Sequence, residues 1–192
     1  MRVELQRKTK ETEVKVSLSH PGSGNIQIDT PVGFLNHMLT LLAWNMGADL
    51  TLWGSGDVHV DYHHLVEDIG IVLGRAFKEL LGDKSGISRY GDVLLPMDEA
   101  LAMVAVDISG RPYLVFDVKF PVERIKDFDV ELFKEFFRAF VNEARITLHI
   151  RLLSGENAHH IAEAVFKGVG RSISYALVRG GEGVPSTKGV IE

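Results

Sequence analysis

The sequence predicts an α+β fold produced by internal duplication of a βαβα-type unit. Short apolar strands alternate with longer helical stretches, and the order strands, helix, strand, helix occurs twice along the chain. Seven identities also recur at an offset of 96 positions, which is half of the 192 residues. Five of them fall in one predicted helix of each half and keep its spacing. We therefore interpret the pattern as a fusion of two similar units.

Composition limits the class of protein. Apolar residues make up 45% of the chain and charged residues 24%, as in ordinary folded domains. The net charge of −5 argues against a nucleic-acid binder, which needs clustered positive charge. The longest purely apolar run, Ala100–Val106, is much shorter than the ~20 residues of a membrane span. No secretory signal is visible, so we expect a cytoplasmic protein that contacts no membrane. Because the chain has no cysteine, a metal would be held by histidine and carboxylates.

The elements of the first repeat, about residues 1–85, follow from hydrophobic periodicity. Residues 2–29 predict short strands, because Val14, Val16 and Leu18 alternate with polar residues. Apolar residues at helical spacing predict a helix over 32–46, followed by a short strand at 49–53. The glycines of 54–56 predict a loop, and a long helix over 62–81 is ended by Gly82.

The second repeat, about residues 86–180, has the same order. Strands are predicted at 101–108 and 113–118, on either side of a turn at 109–112. A helix over 128–142, a strand over 146–153 and a helix over 157–179 follow. Residues 181–192 show no period and predict a C-terminal loop. Neither repeat is large enough for a comfortable core, so we expect both to pack as a single domain.

The sequence His-His-x-x-Glu occurs in the second predicted helix of each repeat. Its members are His63, His64 and Glu67, and then His159, His160 and Glu163. Each histidine shares a helix face with the glutamate, whereas adjacent imidazoles diverge by about 100° and suit two ions better than one. Imidazoles and carboxylates without sulfur favour Mn, Fe or Zn. A single copy is typical of a solvated helix face, but its repetition favours a metal site.

Other candidate residues carry weaker signals. His37 lies on an otherwise apolar helix and, taken alone, is typical of a hydrogen-bonded core histidine. Arg75 and Arg171 occupy matched helix positions, which favours a duplicated packing or ion-pair role over catalysis.

Longer motifs surround the paired histidines. They are Gly-Asp-Val-His-Val-Asp-Tyr-His-His-Leu-Val-Glu-Asp-Ile-Gly at 56–70 and Leu-Ser-Gly-Glu-Asn-Ala-His-His-Ile-Ala-Glu at 153–163. Further motifs are Gly-Phe-Leu-Asn-His-Met at 33–38, Pro-Met-Asp-Glu-Ala-Leu at 96–101, Ser-Gly-Arg-Pro at 109–112 and Pro-Ser-Thr-Lys-Gly at 185–189. Together they resemble the imidazoleglycerol-phosphate dehydratase family of histidine biosynthesis, over the chain from Arg7 to the C-terminus.

The resemblance implies a four-stranded sheet and two helices in each half, a unit similar to a known ribosomal-protein domain. It also implies two Mn²⁺ ions per active site and self-association into a large cubic-symmetric oligomer with active sites between subunits. The metal ligands that it implies are His37, His63, His64, Glu67, His159, His160 and Glu163. Glu135 stands where many relatives have a further histidine, and a carboxylate still suits manganese. The substrate-binding positions that it implies are Glu11, Arg89, Arg111, Lys167, Ser186 and Lys188.

The implied reaction is dehydration of the small molecule imidazoleglycerol phosphate to imidazole acetol phosphate. A proton must leave a weakly acidic carbon and hydroxide must leave its neighbour, and both steps ease when metal ions hold the imidazole ring. A carboxylate beside the metals would take the proton, with Glu163 the first choice and Glu67 the next. The arginines and lysines of the substrate-binding set would hold the phosphate.

Other classes of function also fit the residues. Another dinuclear metalloenzyme, such as a hydrolase of phosphate or amide bonds, would use similar ligands. A metal-binding assembly protein and an RNA-binding module are the non-enzymatic alternatives, although the acidic charge argues against RNA.

Overall fold

The computed structural model describes residues 1–191 and confirms the duplicated α+β fold. The first half contains β1 (Arg2–Lys8), β2 (Thr12–Ser19), β3 (Ile26–Asp29), α1 (Gly33–Met46), β4 (Asp49–Gly56) and α2 (His63–Leu81). The second half contains β5 (Tyr90–Met97), β6 (Ala100–Asp107), β7 (Tyr113–Asp117), β8 (Arg124–Ile125), β9 (Phe128–Asp129), α3 (Leu132–Ala144), β10 (Thr147–Ser154) and α4 (Ala158–Ala176). Glu192, the end of the predicted loop 181–192, lies outside the described residues. Within residues 1–191, no helix has the length and apolar character needed to cross a membrane.

The two four-stranded sheets share one topology. Their strand orders are β1-β2-β4-β3 and β5-β6-β10-β7, and in each sheet only the last pair is parallel. Position by position, β1 corresponds to β5, β2 to β6, β3 to β7 and β4 to β10. The short β8–β9 hairpin is an addition within the second half. Because β1 and β2 correspond to β5 and β6, the β1–β2 turn is structurally equivalent to the β5–β6 turn.

Each helix packs against a helix of the other half. α1 contacts α4 and α2 contacts α3, while α2 covers the first sheet and α4 the second. Glycines allow the close crossings: a Cβ added at Gly74 would lie 2.5 Å from the carbonyl oxygen of Phe140 on α3. The matched Gly170 would bring a Cβ 2.4 Å from the carbonyl oxygen of Leu42 on α1. The repeated glycine therefore serves helix packing, and one hydrophobic core spans both halves.

Arg75 has the ion-pair role that its position predicts. Its guanidinium donates through Nε and Nη2 to the two carboxylate oxygens of Glu143 on α3, at 2.9 and 3.0 Å. Arg171, at the matched position, has no ion-pair partner within the described part of the chain.

Three boundary predictions are wrong. The helix predicted over 157–179 ends at Ala176, since Arg179 is outside the helix and pairs with Ile87. Residues 54–56 continue β4, because Gly54 and Gly56 pair with Val14 and Thr12 of β2. The glycines are needed there by packing, since a Cβ at Gly54 would lie 3.3 Å from the Leu65 side chain on α2. The helix predicted over 128–142 begins only at Leu132, because residues 128–129 pair with β8.

Strand β5 was not predicted from the chain's periodicity. It is an edge strand whose outward positions are exposed, so its apolar residues are not confined to one face. Pro96 lies within it, and proline is tolerated in a sheet at such edges because one side of the strand needs no ladder hydrogen bonds.

Candidate metal centre and active site

One cluster forms where α1 crosses α4. His37, His159 and Glu163 offer ligand atoms that lie within 4.8 Å of one another. Oε1 of Glu163 lies 2.9 Å from Nε2 of His37 and 3.0 Å from Nε2 of His159. The His37 side chain is 44% exposed, so the interpretation of His37 as a core histidine is wrong. Its neighbour is a residue 126 positions away, reached only through the packing of the two halves.

The Glu163 carboxylate is the centre of this cluster. Lys167, one turn further along α4, donates from Nζ to its Oε2 at 2.6 Å. Burial raises the pKa of the Glu163 carboxyl, but the hydrogen bonds from Lys167, His37 and His159 outweigh burial and hold the pKa at about 2. Glu163 is therefore an anion at neutral pH, with two imidazoles beside the same oxygen. Such a donor set suits a divalent cation.

A second cluster lies at the start of α2. Glu11, Asp57 and His64 offer ligand atoms within 4.8 Å of one another. Nδ1 of His64 lies 3.0 Å from Oδ2 of Asp57 and 3.8 Å from Oε2 of Glu11. The hydrogen bond to Asp57 raises the pKa of His64.

The other members of the first His-His-x-x-Glu helix lie beside this cluster. The rings of His63 and His64 are 6.2 Å apart between centroids and nearly perpendicular, at 86°, as expected for adjacent helical positions. Within the described chain, the Glu67 side chain has no hydrogen-bond or ion-pair partner, so its carboxylate is uncommitted.

His160 has a partner that the sequence analysis missed. Its Nδ1 lies 2.7 Å from Oε2 of Glu99, in the β5–β6 turn. The hydrogen bond with His160 and those from the backbone of residues 156–157 lower the pKa of Glu99 to about 2, and Glu99 raises the pKa of His160. Glu99 is part of the motif at 96–101, but no spacing rule links it to a helix that begins some 60 residues later.

Four of the predicted substrate-binding residues line a cavity of about 1010 Å³ at the end of the second sheet: Arg89, Arg111, Ser186 and Lys188. The Arg89 guanidinium donates to both carboxylate oxygens of Asp107, at 2.7 and 3.3 Å, and to the carbonyl of Pro185 at 2.9 Å. Arg89 thus anchors the C-terminal loop to β6. The Arg111 guanidinium makes one weak contact, from Nη1 to the Ser109 carbonyl at 3.4 Å, so most of its donors face the cavity unengaged.

The remaining predicted residues lie apart from that cavity. Glu11 is beside His64 and Lys167 is beside Glu163. Glu135, in the first turn of α3, pairs with Arg138 and belongs to neither histidine cluster. Tyr62, just before α2, donates a hydrogen bond to Asp127 at 2.9 Å. One chain therefore holds the parts of the candidate site in separate places.

Known proteins match both the sequence and the fold. Residues 30–173 match the family described as imidazoleglycerol-phosphate dehydratase. Dehydratases of that name from Thermodesulfovibrio yellowstonii and Citrifermentans bemidjiense are 53% and 54% identical, and the alignments cover 97% and 96% of each chain. A Staphylococcus aureus crystal structure of the dehydratase superposes with a TM-score of 0.86 at 45% identity, over 94% of this chain and 100% of that one. The Pyrococcus furiosus structure superposes with a TM-score of 0.84 at 42% identity, over 97% of this chain and 99% of that one.

The duplicated fold, the histidine–carboxylate clusters and these matches define the class of protein as an enzyme, a hydro-lyase. The chain belongs to the imidazoleglycerol-phosphate dehydratase family of histidine biosynthesis.

Proposed function

We propose that this chain catalyses the metal-dependent dehydration of D-erythro-imidazoleglycerol phosphate to imidazole acetol phosphate in the cytoplasm. The observation that carries the proposal is the pair of histidine–carboxylate clusters on duplicated helices, accompanied by a separate cationic cavity. The clusters would supply ligands for cations that hold an imidazole ring, and the cavity would supply donors for a phosphate.

The donor set fits two Mn²⁺ ions. It offers imidazole nitrogens and carboxylate oxygens and no thiolate, which is the ligand chemistry that manganese accepts. We propose that the ligands come from His37, His63, His64, Glu67, Glu135, His159, His160 and Glu163. When bound, the ions would act as Lewis acids that favour a negatively charged imidazole ring.

We further propose that active sites form between subunits of a large cubic-symmetric oligomer. Within one chain the first cluster gathers three of the proposed ligands and the second cluster holds only His64, whereas manganese takes about six ligands. The phosphate cavity is also separate from both clusters within the chain. Neighbouring copies would supply the further ligands His63, Glu67 and Glu135 to metal sites that one chain leaves incomplete.

Different residues of the chain would abstract the proton and bind the phosphate. Glu163 would take the proton from the substrate carbon, because its carboxylate is ionised and lies among the proposed metal ligands that would hold the ring. Glu67 is the alternative base. Arg111 and Lys188 would bind the phosphate, the first through its forked guanidinium and the second as a point charge. Arg89 would hold the loop that carries Ser186.

The direct test is turnover of imidazoleglycerol phosphate by chelated protein with and without added Mn²⁺, followed by ultraviolet absorbance of the ketone. We expect activity only with metal. His64→Ala and His160→Ala should lose metal and activity together, whereas His149→Ala on β10 is the matched control and should lose neither. Full activity after thorough chelation would contradict the metal dependence, and release of inorganic phosphate would indicate a hydrolase.

Sedimentation tests the assembly separately. We expect active, metal-loaded protein to sediment as a large oligomer that loosens when the metal is removed. An active monomer would contradict the proposal of sites between subunits.

A further inference from the structure

The second histidine of each His-His-x-x-Glu helix faces a carboxylate through Nδ1. In the second half, Nδ1 of His160 lies 2.7 Å from Glu99. In the first half, Nδ1 of His64 lies 3.0 Å from Asp57. Both distances are those of hydrogen bonds. The two halves therefore repeat a contact as well as a sequence motif.

The Glu99 carboxylate is fixed by hydrogen bonds, and its two oxygens have different partners. Oε1 accepts hydrogen bonds from the backbone N–H groups of Glu156 and Asn157, at 3.1 and 2.8 Å. Oε2 is thereby directed to the imidazole of His160. The backbone of His160 is fixed as well, because the Asn157 side chain caps α4 and accepts from the N–H groups of His159 and His160.

An imidazole binds a metal through a nitrogen that carries no proton, and its other nitrogen carries the proton in the neutral ring. A carboxylate at Nδ1 accepts a hydrogen bond and so keeps the proton there. We propose that Glu99 is a positioning residue that holds His160 in the Nδ1–H tautomer and leaves Nε2 free to bind a metal ion. The inference rests on the proposed metal site.

The duplicated halves differ in the residue that supplies the carboxylate. Glu11 and Glu99 are equivalent, because each immediately precedes the second strand of its sheet. Yet Oε2 of Glu11 is 3.8 Å from Nδ1 of His64, too far for a hydrogen bond, and Asp57, the residue directly after β4, takes its place. The Glu11 side chain is 58% exposed and that of Glu99 36%. Asp57 thus leaves the Glu11 carboxylate available for other contacts.

Glu99→Gln separates positioning from a purely structural role. Gln keeps the size of Glu, and its amide oxygen can still accept from the two backbone N–H groups. Its amide nitrogen then faces Nδ1 and donates to it, which moves the imidazole proton to Nε2. The fold should survive while the tautomer is reversed, as replacement of the aspartate by asparagine does in the serine-protease triad.

The test has two readouts. The ring ¹⁵N shifts of His160 would be measured by solid-state NMR in metal-free, ¹⁵N-histidine-labelled protein at about pH 9, where imidazoles are neutral. Assignment would use His160→Gln. Mn²⁺ affinity would be measured by calorimetry. We expect the Nδ1–H tautomer in the wild type, the Nε2–H tautomer in Glu99→Gln, and an affinity lower by about 10–100-fold. Glu99→Ala should show both tautomers.

Glu156→Gln is the matched control, because it removes the same charge from an exposed neighbour and keeps the backbone donor. It should match the wild type in both readouts. An unchanged tautomer in Glu99→Gln would overturn the inference, with or without a loss of affinity, because Glu99 would then act through the loop alone. An equal loss of affinity in Glu156→Gln would also overturn it. A wild type that binds no Mn²⁺ would refute the proposed function, and the tautomer result would still decide the role of Glu99.

Discussion

The crossing of α1 and α4 brings His37 to Glu163, and Gly170 sets how closely the two helices approach. In Gly170→Ala the new Cβ would lie 2.4 Å from the Leu42 carbonyl oxygen and 2.9 Å from Cβ of Asn45. Ordinary contact begins near 3.4 Å, so the helices must separate by about 1 Å. Because the nearest atom belongs to the backbone, no change of rotamer relieves the clash.

The stability cost follows from that displacement. Overpacking of this kind costs about 1–3 kcal/mol, and the better helix propensity of alanine returns up to ~1 kcal/mol. Because the clash is with backbone, the upper part of that range applies, and about 2–3 kcal/mol less ~1 kcal/mol leaves a net loss of about 1–2 kcal/mol in the free energy of unfolding. For a chain of this length that corresponds to a fall of roughly 2–8 °C in Tm. Activity should fall too, because His37 and Glu163 lie on the separating helices.

The assay is thermal unfolding by calorimetry or circular dichroism at one protein concentration, with turnover measured on the same samples. Gly33→Ala is the matched control, since Gly33 lies on α1, the other helix of the crossing, and a Cβ there would meet nothing within 4 Å. Its Tm should equal or exceed that of the wild type. A Gly170→Ala variant as stable and active as the Gly33→Ala variant would refute the argument that this glycine sets the crossing.

Three other variants test the site and the core. Glu163→Gln should lose at least ~10²-fold in kcat with a nearly unchanged KM. A normal kcat at normal manganese content would exclude Glu163 as the base. Glu67→Gln would then be the next test. Arg111→Lys should raise KM by about tenfold, because a single ammonium cannot replace a forked donor; an unchanged KM would remove Arg111 from the phosphate site. Asp68→Ala removes a buried carboxylate that accepts hydrogen bonds from Arg7 and Thr12. It should lower the free energy of unfolding by about 1–3 kcal/mol. An unshifted urea midpoint would contradict this prediction.

The features that could be predicted from the sequence are those that depend on neighbouring residues within one element. The paired histidines and their glutamate depend on the helical period alone, so the spacing was sufficient to find them. His37 was different, because its own helix is apolar and its partner Glu163 is brought to it by a crossing between halves. Edge strand β5 has no one-sided pattern, and its existence depends on pairing with β6.

The contact between Glu99 and His160 could not be predicted by comparing the two halves of the sequence. The paired helices repeat at an offset of 96 positions, but Glu99 follows Glu11 by only 88, because the connections between strands and helices differ in length. An ungapped comparison therefore does not align the two turns. The equivalence follows from the sheet topology, which places both residues just before the second strand.

The exchange of helix contacts between the halves has a consequence for how such a chain arose. A polypeptide ending after α2 would leave the side of α1 that packs on α4, around the buried Leu42 and Met46, in water. Two identical copies would remove that exposure by laying α1 of one on α2 of the other, with a two-fold axis between them. The present chain has the architecture of such a homodimer after gene fusion. In the joined chain the two halves no longer need identical contacts, and the carboxylate that faces the second histidine comes from different places, Asp57 after β4 in one half and Glu99 before β6 in the other.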